Sequence, residues 1–207
     1  MPDDDVPSPI DFHDPAQARA WVEETIRGRP YRPRFFAAFA SALNERFDKP
    51  IDILELGSGP GHLAEVILQH CAVASYVALD FSAAMHDLAR ARLAAFLDRV
   101  EFVERDFRIP DWGAGLRNFD AVVTLQAAHE IRHKRHFVSF LVAARERLRN
   151  AGTLLYCDHY MERGSGKNPD LMLDRDAQLT ALREAGFMDV SRLLDEGGMA
   201  LYSAKRC

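Results

Sequence analysis

Cysteine is scarce in this sequence: Cys71, Cys157 and Cys207 are the only three in 207 residues, far apart and odd in number. That excludes a disulfide scaffold and the paired cysteines of structural zinc or redox sites, and it fits a reducing compartment, so a cytoplasmic location is expected. There is also no run of roughly 18 uninterrupted apolar residues, which a membrane-spanning helix needs, and no membrane association is expected. The stretch Met1–Asp14 holds Asp3, Asp4, Asp5 and three prolines. A secretory leader would show a basic and then an apolar segment there, so none is expected. Positive charge is not in excess either. A formal net charge of −5 and a pI near 5.9 argue against a general nucleic-acid binder, whose phosphate contacts need a basic surface.

The chain is 48% hydrophobic and 28% charged, the balance of an ordinary globular protein. Its length suits one α/β domain with a well-buried core. From Ile51 onward, short apolar runs alternate with segments of helical period, the pattern of βαβ units and a mostly parallel sheet. The pattern predicts strands at Ile51–Leu56, Ser75–Asp80, Val100–Glu104, Phe119–Leu125, Thr153–His159, Met188–Leu194 and Met199–Lys205. Helices are expected at Leu63–Cys71, Ser82–Phe96, Phe137–Leu148 and Asp174–Ala185. Gly197-Gly198 signals a hairpin that turns the last strand antiparallel. Residues 1–34 read differently, with helical character around Ala16–Ile26 and an Arg- and Pro-rich stretch, Arg27–Arg34. They are expected to form an amino-terminal cap on a core of residues 35–207 that opens with a helix at Phe35–Phe47.

The segment richest in chemistry is Glu55-Leu56-Gly57-Ser58-Gly59-Pro60-Gly61-His62, where a buried strand runs through a glycine-rich turn into a helix. Such a turn uses positive φ angles and close ligand approach, both of which a Cβ obstructs. A dinucleotide loop would place its third small residue at position 62, where His62 stands, which disfavours a nicotinamide-dependent oxidoreductase. Asp80 closes the second strand, where a carboxylate can take both hydroxyls of a ribose.

With its acidic-x-Gly-x-Gly-x-Gly run at Glu55–Gly61, the chain resembles the class I S-adenosylmethionine-dependent methyltransferase superfamily. Asp80-Phe81-Ser82-Ala83-Ala84-Met85 is similar to that family's second motif, and Arg105-Asp106-Phe107 to its third acidic position. The turns Leu148–Leu154, with Asn150 where the family often has Pro, and Leu182–Phe187 match as well. The resemblance covers about residues 35–207. It implies a Rossmann-like seven-stranded sheet of order 3-2-1-4-5-7-6, with strand 7 antiparallel and helices on both faces. It further implies S-adenosylmethionine as cofactor, leaving as S-adenosylhomocysteine. Its binding residues would be Glu55, Gly57, Ser58, Gly59, Gly61, Asp80, Phe81, Met85, Asp106, Phe107, Leu125 and Gln126. In that reading Glu55 lies near the cofactor's ammonium, Asp80 holds its ribose, Phe81 packs on adenine and Asp106 takes the adenine amino group.

The acceptor is expected beyond the fourth strand, at Gln126–Ile131, where the family's motif for amide or base-amine methylation is missing. A small molecule, with an anionic one favoured, and O-methylation ahead of N-methylation are expected. Methyl transfer is a direct displacement that depends on alignment, and a hydroxyl acceptor also needs a base. His129 is the first candidate, followed by Glu130 and His159. Tyr31, Arg32 and Arg34, with Arg27 and Arg29, are the expected acceptor-binding residues of the cap; a second basic group runs from Arg132 to His136. Two alternatives stand beside this reading. One is a protein that binds the cofactor without turnover. The other is a zinc hydrolase, because His129-Glu130-Ile131-Arg132-His133 spells His-Glu-x-x-His, although the copy directly follows a strand and no metal is expected.

Overall fold

A computed structural model describes residues 5–162 and 168–207. Its strands are β1 (Ile51–Leu56), β2 (Val73–Asp80), β3 (Val100–Glu104), β4 (Phe119–Leu125), β5 (Leu148–His159), β6 (Met188–Glu196) and β7 (Met199–Lys205). They form one sheet in the order β3-β2-β1-β4-β5-β7-β6, with β7 antiparallel to both β5 and β6. The implied order and the antiparallel last strand are therefore found, and the Gly197-Gly198 hairpin has both glycines at positive φ, 60° and 74°.

The helices are α1 (Pro15–Gly28), α2 (Arg32–Arg46), α3 (His62–His70), α4 (Ala83–Arg92), α5 (Phe137–Glu146) and α6 (Arg175–Glu184). Successive strand residues face opposite sides, so the central strands feed two cores. Leu54, Leu56 and Val122 join Phe137, Phe140 and Leu141 of α5 and Leu182 of α6. Ile53, Ala121 and Val123 join Phe35, Phe39 and Leu43 of α2 and Leu63 and Ile67 of α3. Both sheet faces are covered. A third cluster, Ala18 of α1 with Ala84 and Met85 of α4, seats the first helix on the fourth.

Several boundaries differ from the sequence-based expectation, β2 starting at Val73, α4 ending at Arg92 and β6 ending at Glu196 among them, and two of the differences have a visible cause. The second helix starts at Arg32, three residues before Phe35, because Pro33 sits in its first turn, where a proline's missing N–H costs nothing. The fifth strand starts at Leu148, which pairs with Phe119 ahead of an irregularity that carries Ala151 at φ 60°. Asp14 caps α1, its carboxylate accepting from the Ala16 N–H at 2.8 Å, and Ser82 caps α4, accepting from the Met85 N–H at 3.1 Å. No helix among the described residues is long and apolar enough to cross a membrane.

Ahead of α1, the chain runs as a strap along the carboxyl edge of the sheet. Arg132, only 3% exposed, fastens it: Nε donates to the Val6 carbonyl at 2.8 Å, Nη2 donates to the Pro7 carbonyl at 2.6 Å, and the Arg132 carbonyl accepts from the Val6 N–H at 2.9 Å. Asp5 adds bonds to Arg135 at 2.9 Å and His136 at 3.1 Å. At the strap's other end, Phe12 meets Trp21 edge to face at 5.4 Å and Phe81 at 6.2 Å.

Candidate functional site

Open α/β sheets bind ligands beyond the carboxyl ends of their strands, where the strand order reverses. Here β1 lies between β2 and β4, and a cavity of about 440 Å³ opens above them. From β1 and its turn it is lined by Glu55, Gly57, Ser58 and Gly59; from β2 and α4 by Asp80, Phe81 and Met85. Phe107, Leu125, Gln126, His129, Glu130 and His159 complete the wall toward β4 and β5. The strap roofs it with Ser8, Pro9, Ile10 and Phe12, beside Trp21 of α1.

The glycine turn has three positive φ angles, 69° at Gly57, 52° at Gly59 and 79° at Gly61. A Cβ on Gly57 would overlap the Cβ of Ala127, so the turn and the β4 loop close on each other only because glycine stands there. Asp80 ties the turn to α4: one carboxylate oxygen accepts from the Gly59 N–H at 2.7 Å and the other from the Ser82 N–H at 2.9 Å. Burial raises the Asp80 pKa to about 6, against these backbone bonds that hold it down. Glu55 is 2% exposed and accepts from the Tyr76 hydroxyl at 2.8 Å. Burial is the main cause of its pKa of about 8, partly offset by that hydroxyl.

On the β4 and β5 side, His129 Nδ1 lies 2.8 Å from Asp158 Oδ1, and Asp158 Oδ2 accepts from the His129 backbone N–H at 2.9 Å. Asp158 is 1% exposed, at the second-last position of β5. For the imidazole, burial alone would lower the pKa, but the Asp158 charge and hydrogen bond, with the Glu130 charge, outweigh it and leave the value above the ordinary 6.5. Burial opposes the charged form of Asp158 too, and His129 more than compensates, so that carboxyl titrates below 3.8. Gln126 stands at φ 55°, an uncommon angle for a side chain of its size, and its Nε2 lies 2.9 Å from His159 Nε2. Strained backbone of this kind clusters at functional sites.

The structure thus brings most of the expected residues onto one cavity and separates others. Gly61 lies off the wall, as the residue preceding α3, facing Ala89. Asp106 faces a neighbouring cleft and is gripped by Arg108, with Nη2 at 2.6 Å. Arg34 is 67% exposed and pairs with Glu196 at 2.8 Å, while Tyr31 packs against Phe35 and the Gly197 turn. Of the cap arginines, Arg29 and Arg32 reach the cavity. The second basic group is spent on structure: Arg132, Arg135 and His136 hold the strap, and Lys134 bonds the Pro169 carbonyl at 3.0 Å. Two residues were missed from sequence: Asp158 carried a signal, a carboxylate inside a buried strand, and His62 carried none, because only the folded chain turns it inward.

The His-Glu-x-x-His run is not a metal grip. His129 sits in a 3-10 turn (Ala128–Ile131), Arg132 then takes φ 65°, and His133 is extended at φ −161° with its ring accepting from the Arg135 N–H at 3.0 Å. The two histidines therefore do not share a helix face, which the zinc signature requires. Among the described residues no group of three or more metal-ligating side chains is arranged to hold an ion. Elemental analysis of the purified protein is expected to find no stoichiometric zinc, and a strong chelator to leave its melting temperature unchanged; one tightly held zinc lost on His133→Ala would contradict this.

A family model described as a methyltransferase domain matches residues 53–152. Comparison with curated proteins found no match. Among solved structures, an O-methyltransferase family protein from Burkholderia thailandensis is 18% identical with a TM-score of 0.74, covering 94% of this chain and 60% of that one. PigF with SAH is 17% identical with a TM-score of 0.71, covering 94% and 60%. The cyclase SpnF is 17% identical with a TM-score of 0.65, covering 81% and 79%. This chain thus spans about 60% of the length of the first and second of these structures. At such identities the likeness is one of fold, and the same fold serves a cyclase. Strand order, glycine turn and the match over residues 53–152 agree, and the chain has the Rossmann-like fold of class I methyltransferases.

Proposed function

We propose that the protein transfers a methyl group from S-adenosylmethionine to a hydroxyl of a small molecule, with His129 as the base. The observation that carries this reading is the His129–Asp158 pair opening onto the same cavity as the glycine turn and Asp80. The residues present fit the cofactor: a glycine turn with no room for a Cβ at Gly57, a buried Ser58 hydroxyl without a partner, and a rim carboxylate at Asp80. Gly57, Ser58 and Gly59 would hold its amino-acid end near Glu55, Asp80 its ribose, and Phe81, Met85 and Phe107 its base. Gly61 shapes that turn from behind, and Asp106 would reach the adenine only by giving up Arg108. When bound, the cofactor supplies a methyl group on a positively charged sulfur.

His129 then removes the hydroxyl proton as the oxygen attacks. Asp158 orients the imidazole and stabilises the imidazolium that forms. Glu130, whose Oε1 is 3.5 Å from His129 Nε2, and His159, whose ring centroid is 5.9 Å from that of His129, flank the place where the acceptor would lie. Ile10, Phe12 and Trp21 exclude water from it. Arg29 and Arg32 favour an acceptor with an anionic group.

Titration calorimetry tests the cofactor half of this reading. S-adenosylhomocysteine is expected to bind in the micromolar range, and Asp80→Ala to weaken it by about 1–3 kcal/mol, the order expected when buried hydroxyls lose a charged acceptor. Unchanged affinity would remove Asp80 from the ribose. A turnover assay over carboxylated and phosphorylated metabolites then separates an active transferase from a protein that only binds.

A further inference from the structure

Arg132 reaches further than the strap. Its Nε and Nη2 donate to the Val6 and Pro7 carbonyls, and its third arm, Nη1, donates to Glu130 Oε2 at 3.1 Å. The other oxygen of that carboxylate, Oε1, lies 3.5 Å from His129 Nε2. One guanidinium therefore joins the roof of the cavity to a carboxylate beside the nitrogen that takes the acceptor's proton. The Arg132 side chain is 4% exposed, so the cation has almost no water to turn to and depends on these oxygens. A lysine, with a single point of charge, could not hold three fixed acceptors in this way. The backbone of Arg132 stands at φ 65° and ψ 1°, an uncommon conformation for a long side chain. Its N–H bonds the His129 carbonyl at 3.1 Å while its carbonyl bonds Val6, and strain of this kind persists where the surroundings fix it from several sides.

His129 Nε2 has two claimants, the hydroxyl of an acceptor and Glu130. A carboxylate bonded to that nitrogen would hold a proton on it and stand in the acceptor's place. At 3.5 Å Glu130 stays outside hydrogen-bond range of it, because Arg132 holds the other carboxylate oxygen. We propose that Arg132 is a positioning residue that couples the strap to the base. With the strap seated, its guanidinium draws Glu130 off His129 Nε2 and leaves that nitrogen to the acceptor. With the strap lifted, Arg132 loses two of its three side-chain partners, and Glu130 is released onto the imidazole. The base is then engaged only under a closed roof, which is also the state that excludes water from the cavity. The inference rests on the reading of His129 as the base.

Two nuclear magnetic resonance measurements on the full chain test this without any acceptor: amide exchange at Val6, whose N–H bonds the Arg132 carbonyl, reports the strap, and titration of the His129 ring reports the base. The charged and titratable groups that face the ring are Asp158 and His159 from β5 and Glu130 and Arg132 from its own turn; Asp158 and Glu130 raise its pKa, and Arg132 lowers it. Arg132→Gln is expected to speed Val6 exchange about tenfold or more and to move the His129 inflection to higher pH, as Glu130 closes on the ring. Adding Glu130→Gln to that variant is expected to cancel most of the upward movement, a dependence that damage to packing would not show. Arg132→Lys keeps the charge without the fork, so Val6 exchange should speed up again while the inflection moves less; this variant carries the test if Arg132→Gln does not fold. Unchanged Val6 exchange in both Arg132 variants overturns the proposal, as does an Arg132→Gln inflection that stays in place or moves to lower pH. Full turnover in His129→Ala would instead remove the base reading, a result separate from either measurement.

Discussion

Replacing His129 by alanine is expected to lower kcat about a hundredfold on a hydroxyl acceptor while leaving S-adenosylhomocysteine affinity within about twofold, because a general base contributes at the reacting oxygen and not to cofactor binding. The pH dependence carries a sign. As a base His129 would act only as the neutral imidazole, and its pKa lies above the ordinary 6.5, so kcat/KM should rise with pH through an inflection above that value. Asp158→Asn removes the carboxylate that holds the value up. Its profile should show a lower kcat, by about tenfold or more, with the inflection moved to lower pH, whereas damage to packing alone would leave the inflection in place. Stability follows the same pair. The contribution of His129 is complete below 6.5 and is lost as pH rises through its raised value. That of Asp158 is complete above 3.8 and is lost as pH falls through its lowered value, so the pair stabilises fully only between those limits. An unchanged kcat in His129→Ala would exclude the base.

The second large effect belongs to the turn. Gly57→Ala combines a positive φ of 69° with a Cβ placed on top of the Ala127 Cβ, so the β1 turn and the β4 loop must separate. Strain and overpacking together are expected to cost about 2–5 kcal/mol in urea unfolding and to abolish measurable S-adenosylhomocysteine binding. Gly59→Ala makes the internal comparison. It shares a positive φ of 52°, but nothing lies within 4 Å of its added Cβ, so only backbone strain of about 1–2 kcal/mol is expected. Equal losses for the two variants would show that contact with Ala127 does not shape the turn.

Both predictions rest on features that were legible to different degrees. The glycine turn and Asp80 were readable because their chemistry is local: the spacing of Gly57, Gly59 and Gly61 dictates the backbone, and a carboxylate ending a buried strand dictates where it can reach. His129 was readable only as a candidate, since its partner Asp158 lies 29 residues further along and the two meet through the pairing of β4 with β5. The cap arginines show the limit most plainly. Arg32 and Arg34 are two residues apart and read alike in the chain, yet one is buried on the cavity wall and the other pairs with Glu196 on the surface.

That division has a physical cause. Hydrophobic period and turn chemistry act over a few residues, so the amino-acid sequence by itself determined the alternation of strands and helices, the turn where a ligand is expected and the hairpin that reverses β7. The strand order followed from the resemblance those local motifs support. Which charges face inward depends on what packs against them from distant parts of the chain, and only the tertiary structure decided that. It made Arg132, in the basic group after the fourth strand, the fastening of the strap, and it set Asp158 behind His129. It also braced Arg32 and His62 on Phe36, a contact between α2 and α3 that no spacing along the chain encodes.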